Sequence, residues 1–161
     1  MNIRLEEPRD FSAVERLTRE AFWNKYRPGC SEHYVLHQFR SRPEFVRELD
    51  CVLEEDGQIH GSFYFAIEEE PNYRKIDDGS WLSDAPYGVI HMVASDGTIH
   101  GFLQQIVAFC ERQTKHLRID THHDNKVMQH VIAKNGFSRR GIIYLVNGDG
   151  SARIAYEKLG E

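Results

Sequence analysis

Apolar and polar positions alternate at the start of the chain, with Ile3 and Leu5 set against Arg4 and Glu6, which predicts a short strand over residues 2–6. Pro8 then opens a helix, where its missing N–H costs nothing, and Phe11, Val14, Leu17, Ala21 and Phe22 recur along one face. Pro28-Gly29 ends that helix, and Ser31 with Glu32 starts a second one through Tyr34, Val35 and Phe39. Strand-like runs at 51–54 and 59–67 flank Asp56-Gly57, a two-residue hairpin turn. The stretch Ser62-Phe-Tyr-Phe-Ala-Ile67 is rich in residues that suit a pleated surface. Residues 68–86 form a long polar connection holding Tyr73, Trp81 and several acids, and connections of that length inside a compact domain usually carry function.

Tyr87 to Ala94 reads as another strand, followed by a glycine-bounded turn over 95–101. The helix predicted over 101–115 has Phe102, Leu103, Ile106, Val107, Phe109 and Cys110 around most of its circumference, so it is buried on more than one side. A strand is expected at 117–121. Asp124 is the expected N-cap of a helix over 125–135, whose Val127/Val131 and Met128/Ile132 pairs share a face. Gly136 suits the left-handed position after that helix, and strands 137–146 and 151–157 are joined by Asn147-Gly148-Asp149-Gly150. The order is β-α-α-β-β-β-α-β-α-β-β, an α/β domain expected to be single over residues 1–161.

Composition narrows the function classes. The 40 % hydrophobic and 28 % charged content is that of an ordinary globular chain. Net charge is −5 and the basic residues are scattered, which argues against nucleic acid and is compatible with a cationic partner. Cys30, Cys51 and Cys110 are an odd set without CxxC spacing, the pattern of a reduced, cytoplasmic protein. No leader is expected at the N-terminus and no apolar run approaches a membrane span.

The strand over 87–94, its turn and the helix after it carry the best local chemistry. A helix N-terminus offers unpaired N–H groups and a positive dipole end, a ready site for a pyrophosphate, and Gly97 and Gly101 would let it approach the backbone. On the turn alone, an ordinary strand-to-helix connection is the commoner reading. Asp120-Thr-His122-His123-Asp124 invites a metal reading, but adjacent histidines at a strand end should point apart and no further Cys or His lies at ligand spacing, so no metal is expected. Cys110, inside an apolar helix, is expected to pack, and Glu68-Glu69-Glu70 to be a solvated strand end that could draw a cation toward Tyr73 and Trp81.

The segment Asn125-Lys-Val-Met128-Gln-His-Val-Ile132-Ala-Lys-Asn-Gly136-Phe137 resembles the C-terminal signature of the GNAT superfamily (GCN5-related N-acetyltransferases), Asn-x-x-Ala-x-x-x-Tyr-x-x-x-Gly-Phe, with no gap between Asn and Gly-Phe. Tyr87-Gly-Val-Ile-His91, Leu117-Arg-Ile-Asp-Thr-His122 and Gly141-Ile-Ile-Tyr144 look closest to one bacterial branch of that superfamily. Ala21-Phe-Trp-Asn and His33-Tyr-Val-Leu-His37 look like another branch. The resemblance implies a mixed, mostly antiparallel sheet with helices on both faces, parted between its fourth and fifth strands to admit acetyl-CoA as co-substrate.

Carried onto this chain, the resemblance implies pyrophosphate donors among the N–H groups of Gly97, Thr98, Ile99, His100, Gly101 and Phe102. Val93 and Ala94 would align the pantetheine, Asn125 would touch its far side, and an N–H near Met92 or Val93 would polarise the acetyl carbonyl. The acceptor implied is an amine, small or peptidic, which must lose a proton before it attacks. His91 is the candidate base, with a core hydrogen bond as its alternative, and Tyr144 is the candidate acid. Two departures stand out: Thr98-Ile-His-Gly101-Phe-Leu103 replaces the usual Gln/Arg-x-x-Gly-x-Gly/Ala, and Ile132 occupies the place of a thiolate-protonating tyrosine. They leave two further readings open, a non-catalytic acyl-CoA-binding module and an interaction protein that forms a homodimer through its edge strands.

Overall fold

The structure is a computed structural model that describes residues 1–26, 28–41, 50–146 and 148–160, so Asn147 of the expected last hairpin lies outside the described residues. Seven strands are β1 (Asn2–Leu5), β2 (Asp50–Glu55), β3 (Gln58–Ile67), β4 (Gly88–Ser95), β5 (His116–His122), β6 (Ser138–Tyr144) and β7 (Ala152–Leu159). Four α-helices are α1 (Phe11–Phe22), α2 (Glu32–Arg40), α3 (Phe102–Glu111) and α4 (Lys126–Lys134). The strands form one sheet in the order β1-β2-β3-β4-β5-β7-β6, so the predicted α/β class and element order hold. Pairing is antiparallel for β1–β2, β2–β3, β5–β7 and β6–β7 and parallel for β4–β5, which is the mixed, mostly antiparallel sheet expected.

The chain gathers into two compact units, Met1–Phe65 with Met92–Phe102, and Ala66–His91 with Leu103–Glu161. In the first unit Val14, Leu36 and Val52 form a buried cluster with Ile59 packed against it, which is where the apolar faces of α1 and α2 go. Pro8 starts a single 3-10 turn rather than α1 itself: Pro8–Asp10 wind tightly, and the Asp10 carboxylate accepts from the Glu7 N–H at 2.9 Å. Arg4 clamps that corner, donating to Asp10 at 2.6 Å and to Glu54 at 2.6 Å. The Asp56-Gly57 turn closes the β2–β3 hairpin with both residues at positive φ, 52° and 78°, the geometry of a tight two-residue turn.

The second unit is built on Tyr73, Val89, Ile143 and Ala155, against which Ile76, Trp81, Tyr87 and Leu145 pack. The connection from 68 to 87 is therefore largely ordered against the strands rather than draped over them. Trp81 donates its indole N–H to the Tyr73 carbonyl at 2.9 Å, and Asp77 bridges to Ile142 of β6. Gly79 lies where a Cβ would meet the Arg140 carbonyl oxygen at 1.8 Å, so this crossing tolerates no side chain.

Beneath it sits a buried ionic cluster. Glu157 of β7 is wholly buried and accepts from His116 Nε2 at 2.6 Å, from Arg118 Nε at 3.0 Å and from the Leu82 N–H. The Arg118 guanidinium lies between the Trp81 and Tyr87 rings, 4.0 and 3.9 Å from their centroids, and donates to the Ser83 carbonyl at 2.6 Å. Burying that many charges is tolerable only because each finds a partner: Glu157 serves His116 and Arg118, and the loop's own backbone and rings complete the set.

Candidate active site

The site begins on β4. Gly88, Val89 and Ile90 pair with Leu117, Arg118 and Ile119 of β5, and β4 continues beyond that ladder to Ser95. His91 is the first residue past it. Its Nε2 lies 2.9 Å from Glu70 Oε2 and its Nδ1 3.7 Å from Asp120 Oδ2, so each ring nitrogen faces a carboxylate. Asp120 also accepts from the Tyr73 hydroxyl at 2.7 Å, and Glu70 accepts from the backbone and side-chain nitrogens of Asn72 at 3.0 and 2.6 Å. Burial disfavours the charged ring of His91, but the Glu70 hydrogen bond and the fields of Asp120, Glu70 and Glu68 outweigh it and hold its pKa above the ordinary value. Glu70 is the mirror case: burial would raise it, and the bonds from His91 and Asn72 pull it down.

Only His91 of this group was a predicted site residue. The acidic run at 68–70 is not simply a solvated strand end: Glu69 is exposed beside Arg74, but Glu70 is half-buried and caps the 3-10 turn Pro71–Tyr73. The Glu70-Pro71 pair is the signal that could have found it, since a proline at the first turn marks an acceptor just before it. Tyr73 is 2 % exposed, a core residue tied to the histidine through Asp120 rather than a wall of an open site. Tyr144 pairs with Ala152 at the end of β6 and is 42 % exposed.

The next residue along β4, Met92, has φ 51°, a left-handed backbone that a non-glycine side chain rarely adopts. Val93 and Ala94 follow, Ala94 buried. The turn beyond them has Gly97 and Gly101 at φ 80° and 68°, and α3 begins at Phe102. Part of this turn is satisfied from within. The Gly97 N–H donates to Ser95 Oγ at 3.0 Å and the Thr98 N–H to Asp96 Oδ1 at 2.9 Å, while His60 Nδ1 sits 2.8 Å from Asp96 Oδ2. Burial would raise the Asp96 carboxyl, but the Thr98 and His60 contacts lower it. Two of the expected pyrophosphate donors, Gly97 and Thr98, are thus already engaged, next to an anion; Ile99, His100, Gly101 and Phe102 make up the rest of the set. Gly61 matters to this turn because a Cβ there would meet the Phe102 ring at 2.2 Å.

In the second unit Asn125, not Asp124, is the N-cap of α4, accepting from the Met128 N–H at 3.2 Å. Its oxygen therefore has a structural duty beside the expected cofactor contact. Ile132 is fully buried, so the position where a tyrosine was expected offers packing and no proton. The His122 and His123 rings do not point apart as adjacent strand residues would: β5 ends at His122, and the rings stack at 4.3 Å beside Asp124. Cys110 is buried, as expected for a packing residue. Among the described residues no helix is long and apolar enough to cross a membrane.

No protein-family model matches this chain, and no curated protein matches it by sequence. Solved structures do. A GNAT-family acetyltransferase from Streptococcus agalactiae 2603 is 26 % identical with a TM-score of 0.80, over 99 % of this chain and 95 % of that one. Two others share the fold at 17 % identity and a TM-score of 0.61: a GNAT-family acetyltransferase from Bacillus cereus ATCC 10987 (99 % and 97 % of the two chains) and a ribosomal-protein-alanine N-acetyltransferase from Brucella melitensis (99 % of each). The class of protein that the sheet order and its likenesses define is that of the acetyltransferases built on one mixed sheet. Within that class, the chain belongs to the GNAT superfamily.

Proposed function

We propose that the protein transfers an acetyl group from acetyl-CoA to a primary amine, by direct attack of the amine in a ternary complex. The observation that supports this best is the left-handed Met92 in the middle of β4, directly after His91. Strained non-glycine backbone of that kind concentrates at functional sites, where neighbouring structure holds it in place. In the proposed reaction the Val93 N–H faces the developing oxyanion, a contribution of about 3 kcal/mol when such a donor is fixed in advance. Val93 and Ala94 align the pantetheine, Ile99, His100, Gly101 and Phe102 supply the pyrophosphate donors, and Asn125 touches the far side of the pantetheine. His91 serves as base once it has lost its own proton, so turnover rises with pH through its elevated pKa. Tyr144, or solvent, returns a proton to the coenzyme thiolate. The acceptor is a small molecule or a peptide, and the reaction is placed in the cytoplasm.

Calorimetric titration with acetyl-CoA and with free coenzyme A tests the reading. Micromolar binding, abolished in Gly101→Glu because a charged side chain enters a left-handed glycine position, is expected. Absence of binding to either ligand would overturn it. Binding without turnover on a panel of amines would favour the non-catalytic module instead.

A further inference from the structure

The turn from β5 into α4, within the second unit, gathers three consecutive metal-ligating residues. Adjacent side chains on a strand diverge, and that divergence is the ground for expecting no metal from the sequence. The ground does not hold here, because β5 ends at His122 and the His122 and His123 rings stack, centroids 4.3 Å apart and planes 30° from parallel. One ligand atom from each of His122, His123 and Asp124 lies within 4.8 Å of the others. His123 Nε2 is 3.2 Å from Asp124 Oδ1, and His122 Nδ1 is 3.7 Å from Asp124 Oδ2. Tetrahedral coordination with bonds of about 2.1 Å sets ligand atoms about 3.4 Å apart, a value these two separations bracket. The Nδ1 lone pair of His122 faces Asp124, since it accepts the Asp124 N–H at 3.2 Å. The backbone beneath the three side chains is held. Asn125 N–H donates to the His122 carbonyl at 3.0 Å, and the Gln129 side chain donates to the His122 and His123 carbonyls at 3.2 and 2.8 Å. The His123 and Asp124 side chains are 64 % and 67 % exposed, so they can close the remaining gap and an ion reaches them directly from solvent.

We propose that His122, His123 and Asp124 form a binding site for a divalent transition-metal ion, zinc by the chemistry of its donors. Two imidazole nitrogens and one carboxylate oxygen suit zinc and its neighbours, whereas magnesium and calcium take oxygen ligands almost alone. Zinc imposes no geometry of its own, and water completes its shell at such an open, three-ligand site. Coordination takes over the His122 lone pair that the Asp124 N–H now uses, one modest hydrogen bond exchanged for a metal bond. Two charges outside the set also reach His122. Arg153, its partner across β7, opposes a cation, and Asp149 favours one. The ion sits at the entry to α4, beside the cap residue Asn125, so its occupancy fixes the turn that carries the proposed pantetheine contact. Only that consequence rests on the acetyltransferase reading; the ligand set and the ion do not.

The test is an NMR titration of the whole protein with zinc chloride, without acetyl-CoA, with magnesium chloride as the control ion. The chain has nine histidines, so the readout has to be residue by residue. Saturable shifts of the His122 and His123 ring nitrogens and of the Asp124 and Asn125 amides are expected with zinc and not with magnesium. His123→Ala and Asp124→Asn should each weaken zinc binding at these signals by at least about tenfold, since loss of a ligand costs no less than loss of an outer partner. Both side chains are largely exposed, so neither change threatens the fold, and an unchanged circular dichroism spectrum checks that. Absence of saturable shifts at these rings, an equal response to magnesium, or a His123→Ala protein that binds zinc as the parent does would overturn the proposal. The coenzyme titration is separate: zinc binding without acetyl-CoA binding sinks the acetyltransferase reading alone, and the converse sinks the metal site alone.

Discussion

Replacing Glu157 with alanine should be the most damaging single change in the second unit. The carboxylate is fully buried and holds His116, Arg118 and the Leu82 N–H at once. Its removal leaves Arg118, itself 4 % exposed, as a buried cation with no other carboxylate paired to it among the described residues, sandwiched between two rings that cannot neutralise it. His116, whose Nδ1 is already buried without a hydrogen-bond partner among the described residues, loses its other contact as well. Breaking one side of a buried pair costs about 3–5 kcal/mol, because the survivor keeps its desolvation penalty. For a chain of this length that is a fall in Tm of about 10 °C. Urea unfolding followed by far-UV circular dichroism gives the free energy directly. Paired replacement, Glu157→Leu with Arg118→Met, removes both ions and should recover part of the loss. A Glu157→Ala protein destabilised by less than about 1 kcal/mol would refute the claim that this cluster ties the 68–87 connection to β5 and β7.

Other expectations concern the site. Glu70→Gln keeps an acceptor for Asn72 but withdraws a charge from His91, so the imidazole pKa, read by NMR, should fall and the alkaline rise in turnover should move to lower pH; an unmoved histidine would show that the pair is not coupled. The same pair gives stability a window. The raised His91 contribution is complete below the ordinary imidazole pKa and fades as pH rises through the elevated one. The lowered Glu70 contribution is complete above the ordinary carboxylate pKa and fades as pH falls through the depressed one. Asp96→Asn preserves the acceptor that Thr98 uses while removing the anion beside the expected pyrophosphate site. Acetyl-CoA binding should tighten by up to about fivefold, the size of a partly exposed charge effect. Weaker binding in calorimetry would mean that Asp96 organises the turn for the ligand.

Patterning carried most of the architecture because each prediction rested on a local cause. The Asp56-Gly57 turn and the apolar girth of the helix around Ile106 constrain a backbone within a few residues, and the structure follows them; the strand expected at Ile3 and Leu5 forms too, although Leu5 is exposed and Arg4 half-buried. Where the reading slipped by a residue, as with the cap of α4 at Asn125 rather than Asp124, two adjacent residues could both accept the same N–H, and the path of the turn after His122 decided between them. His91 could be named from its residue type and its strand, and the C-terminal signature by itself points to the superfamily.

The partners of His91 could not be named in that way. Glu70, Tyr73 and Asp120 come from a connection and a strand, with Tyr73 and Asp120 47 residues apart in the chain, and their meeting depends on how the 68–87 segment packs on β4 and β5. The same holds for Glu157, which reads in sequence as one more polar residue on a closing strand and in three dimensions is the most deeply buried charge of its cluster. Local propensity and periodicity act over a few residues and so are written along the chain. Burial, and with it the pKa of a histidine or the need of a carboxylate for a cation, is a property of everything packed around a group, and only the tertiary structure assembles that surrounding.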